Sequence, residues 1–387
     1  MRADRRGYWL LTRTTHHAPC TRTTHPVPRR VKILILKPSS LGDVVQALPV
    51  LRLLKLHRPE SRVYWWIDSD LAPLLEDDPD LTGLFQFDRR RWSSPLYWDE
   101  LVASIRDLRE QKFDCVIDLQ GLIRSGIFAW LANGGLTIGL DDRREGAPAF
   151  YDLIVPRASF HTHAVDWYLG VLPLLHIPVH WDFAWLPPRG AVAALLRKRW
   201  PVDATRWVVV LPGARWANKR WPAEYFAEVV RRLSADSPDA RFVILGGNAD
   251  RNLGATISTA APGRCQDLTG RTTLPEAVEW IRMSALVITN DTGPMHVAAA
   301  LAKPVVALFG PTEPRRTGPY GQIGSVIQRT DLPCVPCLKD SCAYHKPLEC
   351  LRALSPATVH ERAQKLLDAS PARNSAGSLP MSEAKSP

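Results

Sequence analysis

No run of the sequence approaches twenty consecutive apolar residues, so no segment reads as a bilayer-spanning helix. The start also lacks the long apolar stretch and small-residue cleavage site of a secretory signal. Both glycine patterns that cradle phosphates in nucleotide enzymes are missing. No glycine-rich loop ends in Gly-Lys-Ser/Thr, and no strand is followed by the three-glycine dinucleotide fingerprint. Gly246-Gly247 is the only glycine pair placed after an expected strand, and the third glycine is absent. These gaps exclude a P-loop enzyme and argue against a Rossmann-type oxidoreductase. A broad basic face is lacking too. The net charge is +10, but residues 1–30 carry seven Arg against the single acid Asp4, leaving only +4 for the rest. That argues against a nucleic-acid partner. It suits an enzyme that handles phosphorylated, acidic substrates near an anionic membrane.

What is present is a chain of 387 residues, 45% of them hydrophobic, which is long enough for two cores rather than one. Residues 1–30, rich in Arg, Thr, His and Pro, read as a disordered basic extension or, more pointedly, as a membrane-surface tether. Residues 371–387 read as a disordered tail. The seven cysteines, an odd number without a secretion signal, suit a reducing cytosol.

Between the tails, strand and helix patterns alternate. Residues 31–37, 62–67 and 113–118 read as strands, with helices at 97–111 and from Gly121 to Ala132. The pattern weakens from about 140 to 180 and then passes a Pro- and Trp-rich stretch, 180–188. The scheme resumes with a helix at 190–199, strands at 206–211, 241–246, 285–289 and 304–309, and a last helix at 356–368. Strand alternating with helix is the signature of a parallel sheet covered on both faces. The expectation is therefore two doubly wound α/β domains: an N-terminal one over 31–180, a linker at 181–189, and a C-terminal one over 190–370. Ligands in such sheets bind beyond the carboxyl ends of the strands, so function is expected in strand-to-helix loops.

Three such loops carry chemistry. The first, Lys37-Pro38-Ser39-Ser40-Leu41-Gly42-Asp43, allows close backbone approach and ends in a carboxylate. Asp43 could act as a general base or simply cap the following helix. The second, Pro212 to Pro222, places Arg215, Lys219 and Arg220 before a helix N-terminus. That is unfavourable unless an anion is bound there, although a solvated basic loop is the alternative. The third, Asn290-Asp291-Thr292-Gly293-Pro294-Met295-His296, exposes the backbone N–H groups of Thr292 and Gly293 where a pyrophosphate could sit. His296, one turn further on, is a ligand contact or a core histidine. Together they suggest a donor diphosphate on the C-terminal half and an acceptor on the N-terminal half.

With these residues in view, the chain resembles the bacterial ADP-heptose:lipopolysaccharide heptosyltransferases. The matching pieces are ILKPSSLGDVVQALPVLRLLK, VIDLQGLIRSG, GARWANKRWP and NDTGPMHVAAALAKPVVALFGPT, spread over nearly the whole chain outside the tails. The resemblance implies a GT-B fold, two Rossmann-like domains facing across a cleft. It implies inverting transfer of L-glycero-D-manno-heptose from ADP-heptose to a Kdo or heptose acceptor of the lipopolysaccharide inner core, with no cofactor and no catalytic metal. It assigns Asp43 as general base and Lys219, Arg215, Asp291, Thr292, Gly293 and His296 as donor contacts. Ser40, Gly42, Arg124 and Arg144 fall on the acceptor side. The acceptor, lipid A–Kdo or a heptosylated core, implies a cytoplasmic enzyme held peripherally at the inner face of the cytoplasmic membrane. Cys334, Cys337, Cys342 and Cys350 form a cluster read as a structural metal site, a redox pair or unligated thiols. A same-superfamily glycosyltransferase with another donor or glycan, and a non-catalytic nucleotide-sugar-binding protein, remain as alternatives.

Overall fold

The computed structural model describes residues 31–369 apart from 93, 143, 144, 203 and 204. The two tails, and with them the expected membrane tether, lie outside the described residues.

The first half runs β1 (Lys32–Leu36), α1 (Leu41–His57), β2 (Arg62–Asp68), β3 (Gly83–Phe87), α2 (Arg89–Trp92), α3 (Trp98–Glu110), β4 (Cys115–Asp118), α4 (Ile123–Leu131), β5 (Thr137–Asp141), β6 (Leu153–Pro156) and α5 (Ala164–Leu169). The second half runs α6 (Gly190–Arg199), β7 (Arg206–Leu211), α7 (Ala223–Asp236), β8 (Ala240–Ile244), α8 (Arg251–Ser258), β9 (Cys265–Asp267), α9 (Leu274–Met283), β10 (Leu286–Asn290) and α10 (Gly293–Ala300). It closes with β11 (Val305–Phe309), α11 (Pro314–Thr317), β12 (Val326–Gln328), α12 (Glu349–Arg352) and α13 (Pro356–Ala369).

Each half builds one six-stranded sheet, ordered β3-β2-β1-β4-β5-β6 and β12-β11-β10-β7-β8-β9. Every pairing is parallel, with β1 seated between β2 and β4, and β10 between β7 and β11. The two strand orders are the same when counted from the first strand of each half, so the chain repeats one doubly wound scheme twice.

The joint between the halves is apolar. Helix α1 is buried on every side from Val44 to Leu54, because it lies between its own sheet and α10 of the other half. A helix apolar all round has no solvent face to spare. One continuous core therefore joins Ile35, Val45 and Leu51 of the first half to Val287, Met295 and Val297 of the second. A polar tie reinforces it. The buried Arg52 guanidinium grips both oxygens of Asp78 at 2.6 and 2.5 Å and donates from Nε to the Trp185 carbonyl at 2.9 Å. Trp181 and Trp185, in the Pro/Trp-rich stretch, pack against Tyr320 with ring centroids 5.1 and 5.8 Å away.

Candidate active site

The carboxyl ends of the central strands of both sheets deliver their loops to one cavity of about 470 Å3. From the first half come Ser40, Gly42 and Asp43, and from the second Arg215, Lys219, Asp291, Thr292, Gly293 and His296. Nine of the eleven residues singled out in the sequence thus line one space.

Two glycines make this convergence possible. A side chain on Gly42 would put its Cβ 2.4 Å from Cδ2 of His296, and one on Gly293 would lie 2.9 Å from Leu41 Cβ. Without side chains there, the N-termini of α1 and α10 approach each other, and both positive helix ends face the cavity.

Asp43 caps the helix and also lines the cavity. Its Oδ2 accepts from the Ser40 N–H at 3.0 Å and the Ser40 hydroxyl at 2.8 Å, so it closes the first turn of α1. Its Oδ1 accepts from the Tyr168 hydroxyl at 3.2 Å and lies 4.0 Å from Lys37 Nζ. The side chain sits deep in the molecule yet remains 37% accessible, because it faces the cleft. Burial pushes its carboxyl up, but the Lys37 charge, the Ser40 hydrogen bonds and His296 together outweigh that and hold it below its ordinary value. It is a carboxylate at neutral pH.

Lys37 and Tyr168 were not singled out in the sequence. The Lys37 ammonium is buried, donates to the Leu119 carbonyl at 3.0 Å and sits 4.7 Å from the centre of the Tyr168 ring. Burial pushes its pKa down, and the charges of Asp43, Asp118 and Asp142 offset part of that. Lys37 stands at the end of a legible strand, so its place was readable. Tyr168 comes from the stretch where periodicity fades.

Across the cavity, Lys219 Nζ lies 2.6 Å from Asp291 Oδ2, and the same oxygen accepts from the Thr312 hydroxyl at 2.5 Å. The Lys219 ammonium also lies 4.7 Å from the Trp216 ring centre. Buried Asp291 therefore fixes where Lys219 points. Asn290 holds the basic loop against the end of β10, donating to the Pro212 carbonyl at 2.7 Å and accepting from Trp221 N–H at 3.1 Å. Arg220 donates from Nε to the Ala214 carbonyl at 2.8 Å and lines the neighbouring space over the second sheet, whereas Arg215 lines both that space and the central cavity. His296 is buried, and burial pushes its pKa down to about 4 against the pull of Asp291 and Asp43, so the ring is neutral.

Two further spaces open from this one. A cavity of about 460 Å3 runs over the second sheet, lined by Gly213, Leu245, Gly246, Thr272 and Leu274, and shares Arg215, Thr292 and Pro294 with the first. On the other side, a space of about 480 Å3 shares Asp43, Trp216 and Thr312 and adds Lys37, Arg157 and Arg316.

Arg124 is not brought to the central cavity. It lines an aromatic-walled space of about 370 Å3 with Trp66, Phe87, Trp92, Phe128 and Arg89. Gln120 and Leu122 border both this space and the one beside Lys37. Arg144 lies outside the described residues. The cysteine cluster is held as free thiols; burial and the neighbouring thiols push Cys350 up to about 11. Among the described residues no group of three or more His, Cys, Asp or Glu side chains is arranged to hold a metal ion.

A basic loop and a carboxylate thus line one cleft between two doubly wound sheets. The sequence profile of Glycosyltransferase family 9 (heptosyltransferase) matches residues 101–347. The chain belongs to this family. It is thus a glycosyltransferase, with the GT-B arrangement of two parallel sheets. Lipopolysaccharide heptosyltransferase 1 of Pseudomonas aeruginosa is 30% identical over 81% of this chain and 88% of its own length. Lipopolysaccharide heptosyltransferase 2 of Salmonella typhimurium is 28% identical over 77% and 88%. Among solved structures, E. coli ADP-heptose lps heptosyltransferase II superposes with a TM-score of 0.70 at 23% identity, covering 88% of this chain and 99% of that one. E. coli heptosyltransferase WaaC with ADP does so with a TM-score of 0.69 at 25% identity, covering 87% and 100%. Among the described residues no helix of this family member is long and apolar enough to cross a membrane.

Proposed function

We propose that this glycosyltransferase moves L-glycero-D-manno-heptose from ADP-heptose to a Kdo or heptose residue of the lipopolysaccharide inner core, with inversion at the anomeric carbon. The observation that carries the reading is the Asp43 carboxylate, one oxygen anchored by Ser40 and the other beside the Tyr168 hydroxyl and the Lys37 ammonium, in the cavity it shares with Lys219.

The acceptor hydroxyl gives its proton to Asp43 Oδ1 as its oxygen attacks the anomeric carbon. The bond from that carbon to the β-phosphate oxygen breaks, and ADP leaves with the bonding pair. Negative charge growing on the diphosphate meets Lys219, Arg215 and the N–H groups at the start of α10, which are fixed before the reaction begins. The ADP end extends into the space over the second sheet, past Arg215 and Thr292. Asp291 acts by aiming Lys219, since a carboxylate beside a phosphate would repel it. His296, neutral and packed on Gly42, holds the two loops together and borders the donor. Ser40, Gly42, Arg124 and Arg144 serve the acceptor, the arginines meeting its carboxylate or phosphate groups.

The acceptor is lipid-linked, so the enzyme works in the cytoplasm, peripherally at the inner membrane face. The reading is supported by relatives named as lipopolysaccharide heptosyltransferases and by a solved WaaC structure with ADP-2-deoxy-2-fluoro heptose. To test it, purified enzyme is given ADP-heptose and an inner-core acceptor, and the product is read by NMR. An α-linked heptose is expected from the β-linked donor. A β-linked product, or transfer only from a different nucleotide sugar, would overturn it.

A further inference from the structure

Helices α3 and α4 pack against one another beside the aromatic-walled space that holds Arg124. Their inward residues, Leu101 and Phe128, line that space, and Phe128 stacks against Trp92 at 5.8 Å. Their outward residues are large and apolar. Trp98 and Val102 on α3 are 59% and 65% accessible, and Leu96 just before α3 is 84% accessible. On α4, Ile123, Ile127 and Trp130, spaced to share one helix face, are 41%, 38% and 62% accessible. Five large apolar side chains on two adjacent helices, with Leu96 in the turn before α3, exceed the scattered exposure expected of a surface that meets only water.

The neighbouring charges favour one kind of partner. Arg89, Arg90 and Arg91 form α2, which packs on α3, and Arg124 opens α4. Helix α3 itself carries Asp99, Glu100, Asp107 and Glu110 against Arg106 and Arg109, so its own charge does not attract anions. Positive charge is gathered at the end of the face nearest Ser39, where Arg89 donates to the Ser39 hydroxyl at 2.5 Å and lies 3.8 Å from Asp68, and Arg91 pairs with Glu100. Both arginines are 48% accessible, and such exposed pairs are weak enough to exchange for lipid phosphates. Tryptophan with leucine and isoleucine beside arginine is the composition that rests at a bilayer interface.

We infer that the face of α3 and α4 seats on an anionic phospholipid bilayer, with the apolar side chains in the interfacial layer and the α2 arginines against the headgroup phosphates. This deepens the proposed function and rests on it for the purpose of docking. A lipid-anchored glycan then reaches the loop of Ser39 to Asp43 without leaving the membrane surface. It also places attachment on the folded body, in addition to any contribution from residues 1–30.

The test uses the full chain and vesicles containing no acceptor, made of phosphatidylethanolamine with phosphatidylglycerol, or of phosphatidylcholine alone. Hydrogen–deuterium exchange is expected to show protection of 96–105 and 122–131 on the anionic vesicles only. Replacing Leu96→Ser, Trp98→Ser, Val102→Ser and Trp130→Ser together is expected to weaken sedimentation with those vesicles by about tenfold or more. The same variant should release ADP at the wild-type rate with a water-soluble, acyl-free acceptor, which also shows that it is folded. Protection confined to residues 1–30, or undiminished binding by the variant, overturns the inference. Protection of these helices by raising protein concentration without lipid does so as well, by assigning the face to a second copy. Docking that persists in a protein unable to transfer heptose would leave this inference standing and sink the proposed function instead.

Discussion

At the residue scale, the site depends on one buried cation set against one carboxylate. Lys37 offsets the burial that would otherwise raise the Asp43 pKa, so the proposed base stays ionised deep in the molecule. A base works in its deprotonated form. With Lys37 present, activity should fall only at acid pH, below the ordinary carboxylate range. Lys37→Met removes the attraction and leaves the burial, so the Asp43 pKa rises and the acid limb of the kcat/KM profile moves to higher pH. An acid limb that stays in place in this variant would show that Lys37 only packs. The sequence showed Asp43 clearly because a carboxylate closing a strand-to-helix loop has few uses. It could not choose between cap and base, because the contacts of the second oxygen lie far along the chain: Oδ2 caps, and Oδ1 meets Tyr168 and Lys37. Arg124 reads as an acceptor residue in the sequence, and it lines a space beside the one that holds Asp43.

At the element scale, legibility follows position in the sheet. The seven strands that stand out in the sequence are β1, β2, β4, β7, β8, β10 and β11, all in the interior of their sheets. Buried on both faces, they read as continuous apolar runs such as KILIL and VVALF. The edge strands β3, β6, β9 and β12 do not stand out, because each meets solvent along one side and carries few buried residues. Strand β5, TIGLD, is buried but broken by Gly and Asp. Helix α1 contains Pro49 and still forms, since packing on every side outweighs a lost backbone hydrogen bond. The meeting of α1 with α10 makes a specific prediction. Gly42→Ala forces a methyl group into the His296 ring and should cost about 1–3 kcal/mol of stability in denaturant titrations. It should also lower kcat, because Asp43 is the next residue. Full stability with unchanged kcat would mean that the two helix ends are not in contact in solution.

At the scale of the whole molecule, two copies of one doubly wound scheme place their loop ends around a shared cavity, and a single apolar core crosses between them. The sequence carries the repeat and the loops but not the joint, because contacts such as Arg52 to Trp185 link residues far apart in the chain. Nor does it carry the exposed face of α3 and α4, since an apolar stripe reads the same whether it meets a core, a bilayer or water. The central claim is that Asp43 drives heptose transfer across this cleft. It is tested most directly by following ADP release from ADP-heptose, with a lipid A–Kdo acceptor and a heptosylated one in parallel, for the wild type and Asp43→Asn. The account predicts turnover with one acceptor and a fall of about 10²–10⁴-fold in kcat for the variant, with ADP binding retained. Wild-type turnover by Asp43→Asn would contradict it.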